Sequence, residues 1–427
     1  MSLQQSSKFQ RIWIYSILLT SPIYLRSGSE GVEIIDIVFA AFYFGSLYYW
    51  FFWTILVAKN NVFRNIADFF LIAFFVLGFA LALNSYLNGV NLLNSMRELV
   101  LISFVLYYFP IRENFAEKKY LIFFSVVFSI AIFINSLGQI YDYYRNISAG
   151  LQYAYQLLSS TKIRINQTLF SFTILSSSLF MLMKQKILTR IWLVISIISS
   201  SIALVTTFSR TFWLITLIVF GVYLLVLPFK HKMRLALSGM IVLGSIILIS
   251  QLFFKERADI VMQVVEKRFL STSKGAKDVS FIARLKEYET VIQKIKEYPI
   301  QGNGFFKEFR FYNVLEQETA TTTTIHNGYL FLFYRVGIPL ALMFIFCVFY
   351  FFIKSLKNIY LIDDVFYKFI AVAAMTGIIV MIISGFTSSQ FLYRDGTFLF
   401  AVSFALVEIS YNQVQLVRNK KLLLQNG

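Results

Sequence analysis

The sequence predicts an all-α polytopic membrane protein, and three observations carry that expectation. Of the 427 residues 58% are hydrophobic and 14% charged, and mean hydropathy is +0.69, outside the range of soluble globular domains. Apolar runs long enough to cross a hydrocarbon core of about 30 Å recur from end to end. Only 5 prolines interrupt them. A β-barrel would show short alternating segments instead.

Taken in order, about twelve transmembrane helices are expected, near 12–25, 34–57, 67–84, 92–110, 120–139, 167–183, 189–208, 211–227, 234–252, 327–352, 365–386 and 393–409. The first run, Ile12 to Leu25, leads into Arg26 and Glu30 and not into a small-residue cleavage site, so it reads as a short membrane helix. The seventh and eighth meet at Ser209-Arg210, which implies a tight turn. With the N-terminus inside, the short cytoplasmic segments carry 18 Lys and Arg and the short outer loops 6, a bias that puts both termini in the cytoplasm. The net charge of +17 therefore follows the bilayer and gives no reason to expect nucleic acid. Cys347 is the only cysteine, so neither an intrachain disulfide nor a cysteine metal site is available.

The chain thus divides into nine helices over 1–252, one long extracytoplasmic loop over 253–326, and three helices with a short cytoplasmic tail over 327–427. Another outer segment, 140–166, carries Tyr141, Tyr143, Tyr144, Tyr153 and Tyr155, rings suited to a headgroup belt or to sugar stacking. The long loop begins with charged helical sequence (KERADIVMQVVEKRFL). From Phe281 to Tyr298 apolar residues recur at Phe281, Leu285, Tyr288, Ile292 and Ile295, which predicts an amphipathic helix. Pro299 ends it, and Gly302 and Gly304 permit sharp bends. The run TATTTTI (319–325) reads as extended chain or a short strand.

Chemistry concentrates where this loop returns to the membrane. His326 and Asn327 stand at the mouth of a helix, placing an imidazole and an amide at the outer face. A helix cap or interface residue is the bland alternative. Arg210, between two apolar runs, is costly there unless it snorkels to the surface or meets an anion. Arg335, nine residues past His326, faces the same cost, whereas Arg284 alone would be an ordinary solvated arginine. Arg97-Glu98 and Arg394-Asp395 each read as a possible local ion pair. His231, in KHKMR, reads as a juxtamembrane basic residue. There is no HExxH, P-loop or dinucleotide fingerprint, so no metal or other cofactor is expected. Taken together, several arginines at headgroup depth suit the diphosphate of a lipid-linked glycan, because guanidinium forks bind phosphate bidentately. A neutral imidazole nearby suits removal of a proton from an attacking hydroxyl.

Three stretches resemble the O-antigen ligase/polymerase superfamily of polytopic bacterial membrane glycosyltransferases. They are SRTFWLITLIVF, holding Arg210; ARLKEYETVIQKIKEYPIQGNGF, holding Arg284; and HNGYLFLFYRVGIPL, holding His326. The resemblance covers roughly 190–345. It implies a metal-independent transfer of glycan from undecaprenyl diphosphate to a hydroxyl acceptor, with inversion, at the outer face of the inner membrane. By the same resemblance His326 is the base, and Arg210 and Arg284 bind the diphosphate; Asn327, Arg335 and Arg394 are candidate supporting residues. Thr211-Phe212-Trp213 depart from the small residues many relatives have after the first arginine. The motifs are shared by ligases acting on lipid A-core, by repeat-unit polymerases with a lipid-linked acceptor and a chain-length regulator as possible partner, and by protein O-oligosaccharyltransferases. The ligase-like reading is preferred because all three key groups match that pattern. A glycan-lipid transporter is the non-enzyme alternative, but the single asymmetric loop does not suit paired transporter halves.

Overall fold

The structure, a computed structural model, describes residues 3–26, 34–148, 166–207, 209–226, 279–313 and 317–425, with a few positions between 229 and 244. In chain order the helices are α1 (Leu3–Arg26), α2 (Ile34–Phe52, continued by a π-helical turn, Trp53–Val57), α3 (Ile66–Leu87) and α4 (Leu92–Ser103). A 3₁₀ turn, Phe104–Tyr107, joins α4 to α5 (Tyr108–Asn114), and α6 (Lys118–Ser148), α7 (Gln167–Phe180), α8 (Ile187–Thr206) and α9 (Arg210–Val226) follow. The described part of the long loop holds α10 (Val279–Glu297) and an antiparallel hairpin, β1 (Phe309–Asn313) with β2 (Glu318–Thr322). Three last helices are α11 (Gly328–Leu361), α12 (Val365–Ser384) and α13 (Arg394–Gln425).

Among the described residues 8 helical stretches are long and apolar enough to cross a membrane. The expected sixth span is only α7, 14 residues long and almost wholly buried, about 21 Å of helix against a core of about 30 Å. The expected ninth, 234–252, lies largely outside the described residues, as do the first loop helix and Tyr153 and Tyr155. Helix α6 runs on to Ser148, past the expected end near 139, so Tyr141, Tyr143 and Tyr144 are helical; Tyr143 is buried and the other two are exposed.

The centre is α13, whose residues from Phe398 to Ile409 are all buried and which packs on α5, α11 and α12. Charges inside the bundle are paired. Arg112 donates to Asp68 at 2.7 Å, to the Tyr108 hydroxyl at 2.8 Å and to the Val62 carbonyl at 2.7 Å, while Lys354 meets Glu408 at 2.6 Å. Ionisable groups persist in such surroundings because each has a hydrogen-bonded counterpart.

Two motifs far apart in sequence complete each other. Gly337 breaks α11 with φ of +77°, and Pro339 lacks the N–H that would bond to the Arg335 carbonyl. The Pro299–Gly304 segment supplies what the helix loses. The amide of Gly304 donates to the Arg335 carbonyl at 3.1 Å, that of Asn303 to the Tyr334 carbonyl at 2.7 Å, and that of Ile338 to the Pro299 carbonyl at 2.7 Å. The backbones lie so close that a Cβ on Gly302 would sit 2.5 Å from the Gly337 nitrogen. Gly302, expected to permit a bend, is therefore also required for this contact, whereas a Cβ on Gly304 would run into the Ser85 side chain.

Beneath the contact lies Arg335. It is fully buried, 3.1 Å from Glu98, and donates to the carbonyls of Gly304, Lys307 and Thr323. The guanidinium of this residue, a candidate supporting residue in the sequence, holds the loop against the bundle. Glu98 pairs with Arg335, 237 positions away, and not with its neighbour Arg97 as the sequence suggested.

Candidate active site

Asn327 fixes the start of α11. Its side chain accepts hydrogen bonds from the amides of Tyr329 and Leu330, both at 3.0 Å, satisfying donors that the first helical turn leaves without carbonyl partners. The cap is thus Asn327, and the histidine before it is released for other work. The segment is clamped on its far side by α12. The Gly328 amide donates to the Gly385 carbonyl at 2.6 Å, and the Ser389 hydroxyl donates to the Ile325 carbonyl.

His326 is held by a residue that the sequence reading passed over. One Glu287 oxygen accepts the His326 backbone N–H at 3.1 Å, and the other lies 2.9 Å from His326 Nδ1. The Glu287 side chain is 2% exposed and the His326 side chain 58% exposed, so the carboxylate is sealed and the imidazole is open. An ionised carboxylate only accepts, so the proton of the neutral ring resides on Nδ1 and the lone pair on Nε2. Such an arrangement can serve proton transfer at Nε2, with the other ring nitrogen oriented by an acid.

The amphipathic helix that carries Glu287 is present, and of the expected apolar positions Ile295 is buried and Tyr288 half-buried. Ala283, Glu287, Val291 and Ile295 are buried, whereas Leu285 and Ile292 are 43% and 42% exposed. Glu287 therefore sits in an otherwise apolar stripe. That misfit, a carboxylate one turn from Arg284 on the inner face, was the available signal.

Arg284 belongs to the same cluster. It is half-buried one turn before Tyr288, whose hydroxyl donates to the His326 carbonyl at 2.9 Å. Burial pushes the Tyr288 hydroxyl above its ordinary value, with Arg284 and the Asn327 amide partly offsetting it and Glu287 adding to it, so Tyr288 remains a donor. Arg210 reaches the same end of the bundle from a different helix. Thr168, one residue into α7, donates to Asp395 near the start of α13 at 2.6 Å, and Thr216 of α9 donates to Ser171 of α7 at 3.0 Å. Tyr223, seven residues further along α9, meets Thr376 midway along α12. Arg210, six residues before Thr216, thus stands about 9 Å further toward the end where α11 opens. Arg394, half-buried, begins α13 at that end too, and its neighbour Asp395 also takes the Thr168 hydroxyl. Among the described residues no group of three or more His, Cys, Asp or Glu is placed to hold a metal ion.

A family model described as O-antigen ligase matches residues 193–345, roughly a third of the chain. The matched span contains Arg210, Arg284, Glu287 and His326. No curated protein matches the chain. The match and the membrane-spanning helices together support glycan transfer of the O-antigen ligase or polymerase kind in general.

Proposed function

We propose that the protein moves a glycan from undecaprenyl diphosphate to a hydroxyl acceptor of the lipid A-core type, at the outer face of a bacterial inner membrane. Both termini lie in the cytoplasm, the loop 253–326 lies outside, and membrane lipids surround the helices. The acceptor oxygen attacks the anomeric carbon, and the bond from that carbon to the diphosphate oxygen breaks with inversion. Its electron pair leaves on the diphosphate, and the hydroxyl proton passes to His326 Nε2. Arg284 and Arg210 balance the charge gathered on the leaving diphosphate, which asks for no strong acid. Glu287 holds the ring in the tautomer that presents Nε2 and steadies the imidazolium that forms.

The observation that carries this reading is the buried Glu287 carboxylate engaging both the backbone and the ring of an exposed histidine. The test is His326→Ala in purified, lipid-reconstituted protein. Transfer should be lost while donor binding persists, and full transfer by that variant would end the proposal. Gels of surface glycans from a deletion strain settle the acceptor. Lipid-linked polymer retained without polymer on lipid A-core supports the ligase assignment, and collapse to a single repeat unit replaces it with polymerase.

A further inference from the structure

A groove of about 700 Å³ opens between the α3–α4 turn, the end of α10 and the hairpin. Asn91, Asn94, Lys294, Phe306, Lys307 and Arg310 line it, and Thr321 of β2 closes one side. Neither Glu287 nor His326 belongs to this lining, and the diphosphate chemistry above makes no use of it.

Its wall is built, not incidental. Phe306 takes φ of +56°, a conformation that costs an L residue energy and persists only where surroundings enforce it. The enforcing group is Glu98, which accepts the Phe306 amide, and Glu98 is held in turn by Arg335. Arg335 also grips the carbonyls of Gly304 and Lys307, on both sides of the strained residue. The buried ion pair thus fixes a half-buried aromatic ring and two exposed cations, Lys307 and Arg310, along one wall. Three cations face the groove against one acid, Glu308. Lys294 is itself bridged to Glu297 at 2.9 Å, which leaves Lys307 and Arg310 as the principal anion-directed groups.

Position ties the groove to the reaction. From Thr321 the chain reaches His326 in five residues, at most about 18 Å even if fully extended. Along α10, Lys294 lies ten residues past Arg284, about 15 Å away. A chain in the groove would therefore approach His326 from the hairpin side, leaving the Arg284 side to the diphosphate. The attacking hydroxyl belongs to the acceptor and gives its proton to His326, so a chain that approaches His326 from this side suits the acceptor.

We infer that this groove seats the acceptor and that the acceptor's saccharide is acidic, its carboxylates or phosphates meeting Lys307 and Arg310 and one sugar face lying on Phe306. The inference rests on the glycan-transfer reading and names the substrate class it would favour. The direct test is binding to full-length protein in discs of zwitterionic lipid, with a galacturonic acid oligosaccharide and its neutral galactose counterpart as probes. The acidic probe should bind saturably, and both the neutral probe and the Lys307→Glu/Arg310→Glu variant should bind at least about tenfold more weakly. In transfer assays that variant should raise KM for the acceptor and leave KM for the donor unchanged, while His326→Ala should bind the acidic probe normally. Equal binding of the two probes, or an unaffected double variant, overturns the inference. So does binding of anionic phospholipid, and not of saccharide, through these two cations. Binding retained together with transfer that survives His326→Ala would instead reject the base assignment and leave the groove standing.

Discussion

Replacing Glu287 with glutamine separates a positioning role from a merely structural one. The side chain keeps its shape and one carbonyl oxygen, which still accepts the His326 backbone N–H now bonded at 3.1 Å. The other oxygen, 2.9 Å from Nδ1, becomes an NH2 group that donates and cannot accept. The neutral ring is then driven to carry its proton on Nε2, and the exposed nitrogen loses the lone pair that would take the acceptor's proton. General-base assistance contributes roughly 10²–10⁴-fold, so kcat should fall by about that factor with donor binding unchanged. Loss of a charge-assisted hydrogen bond at a sealed site should lower stability by about 1.5–3 kcal/mol, read as a lower Tm. The chain has only 2 histidines, so ¹⁵N-histidine labelling resolves the tautomer directly. Wild-type protein should show Nδ1–H at His326 and the variant Nε2–H. A Glu287→Gln protein that transfers glycan within twofold of wild type, or one that keeps the Nδ1–H tautomer, would refute the reasoning.

Arg284→Ala and Arg210→Ala should weaken donor binding, and lysine at either position should restore it only in part because the bidentate fork is lost; equal donor affinity in all four variants would rule against a diphosphate clamp. Arg335→Ala should destabilise the protein by about 3–5 kcal/mol by leaving Glu98 buried and uncompensated. The double replacement Arg335→Leu/Glu98→Leu should regain part of that loss, as melting curves in detergent would show, and equal Tm values for the single and double variants would contradict the pairing. Gly337→Ala places a Cβ 2.0 Å from the Ile300 carbonyl at a positive φ, so it should lower Tm more than Gly45→Ala, where nothing lies within 4 Å.

Much of the architecture was legible because membrane insertion is written in local composition. A run of apolar residues has few options in lipid other than helix, and Pro299, Gly302 and Gly304 mark their own loop geometry. The loop helix was visible from its spacing, and of TATTTTI, which reads as extended chain or a short strand, the first four residues lie in β2. Where spacing misled, the reason was packing. Leu285 and Ile292 share the helical period with Tyr288, yet the neighbouring α11 and β1 select Ala283, Glu287, Val291 and Ile295.

By itself the sequence determined that the chain is a bundle of membrane helices interrupted by one polar loop, and that His326 stands where loop becomes helix. Those properties depend on neighbours in the chain. Which charges are enclosed by the protein and which are open depended on partners 39 positions apart for Glu287 and His326 and 237 apart for Glu98 and Arg335. Arg335 shared with Arg210 the cost of a charge among apolar residues, and in the fold Glu98 and three carbonyls enclose it. Glu287 looked like one more loop acid until the fold pressed it against the imidazole. A side chain's chemistry is set by what removes water from it and what hydrogen-bonds to it, and only the folded chain supplies either.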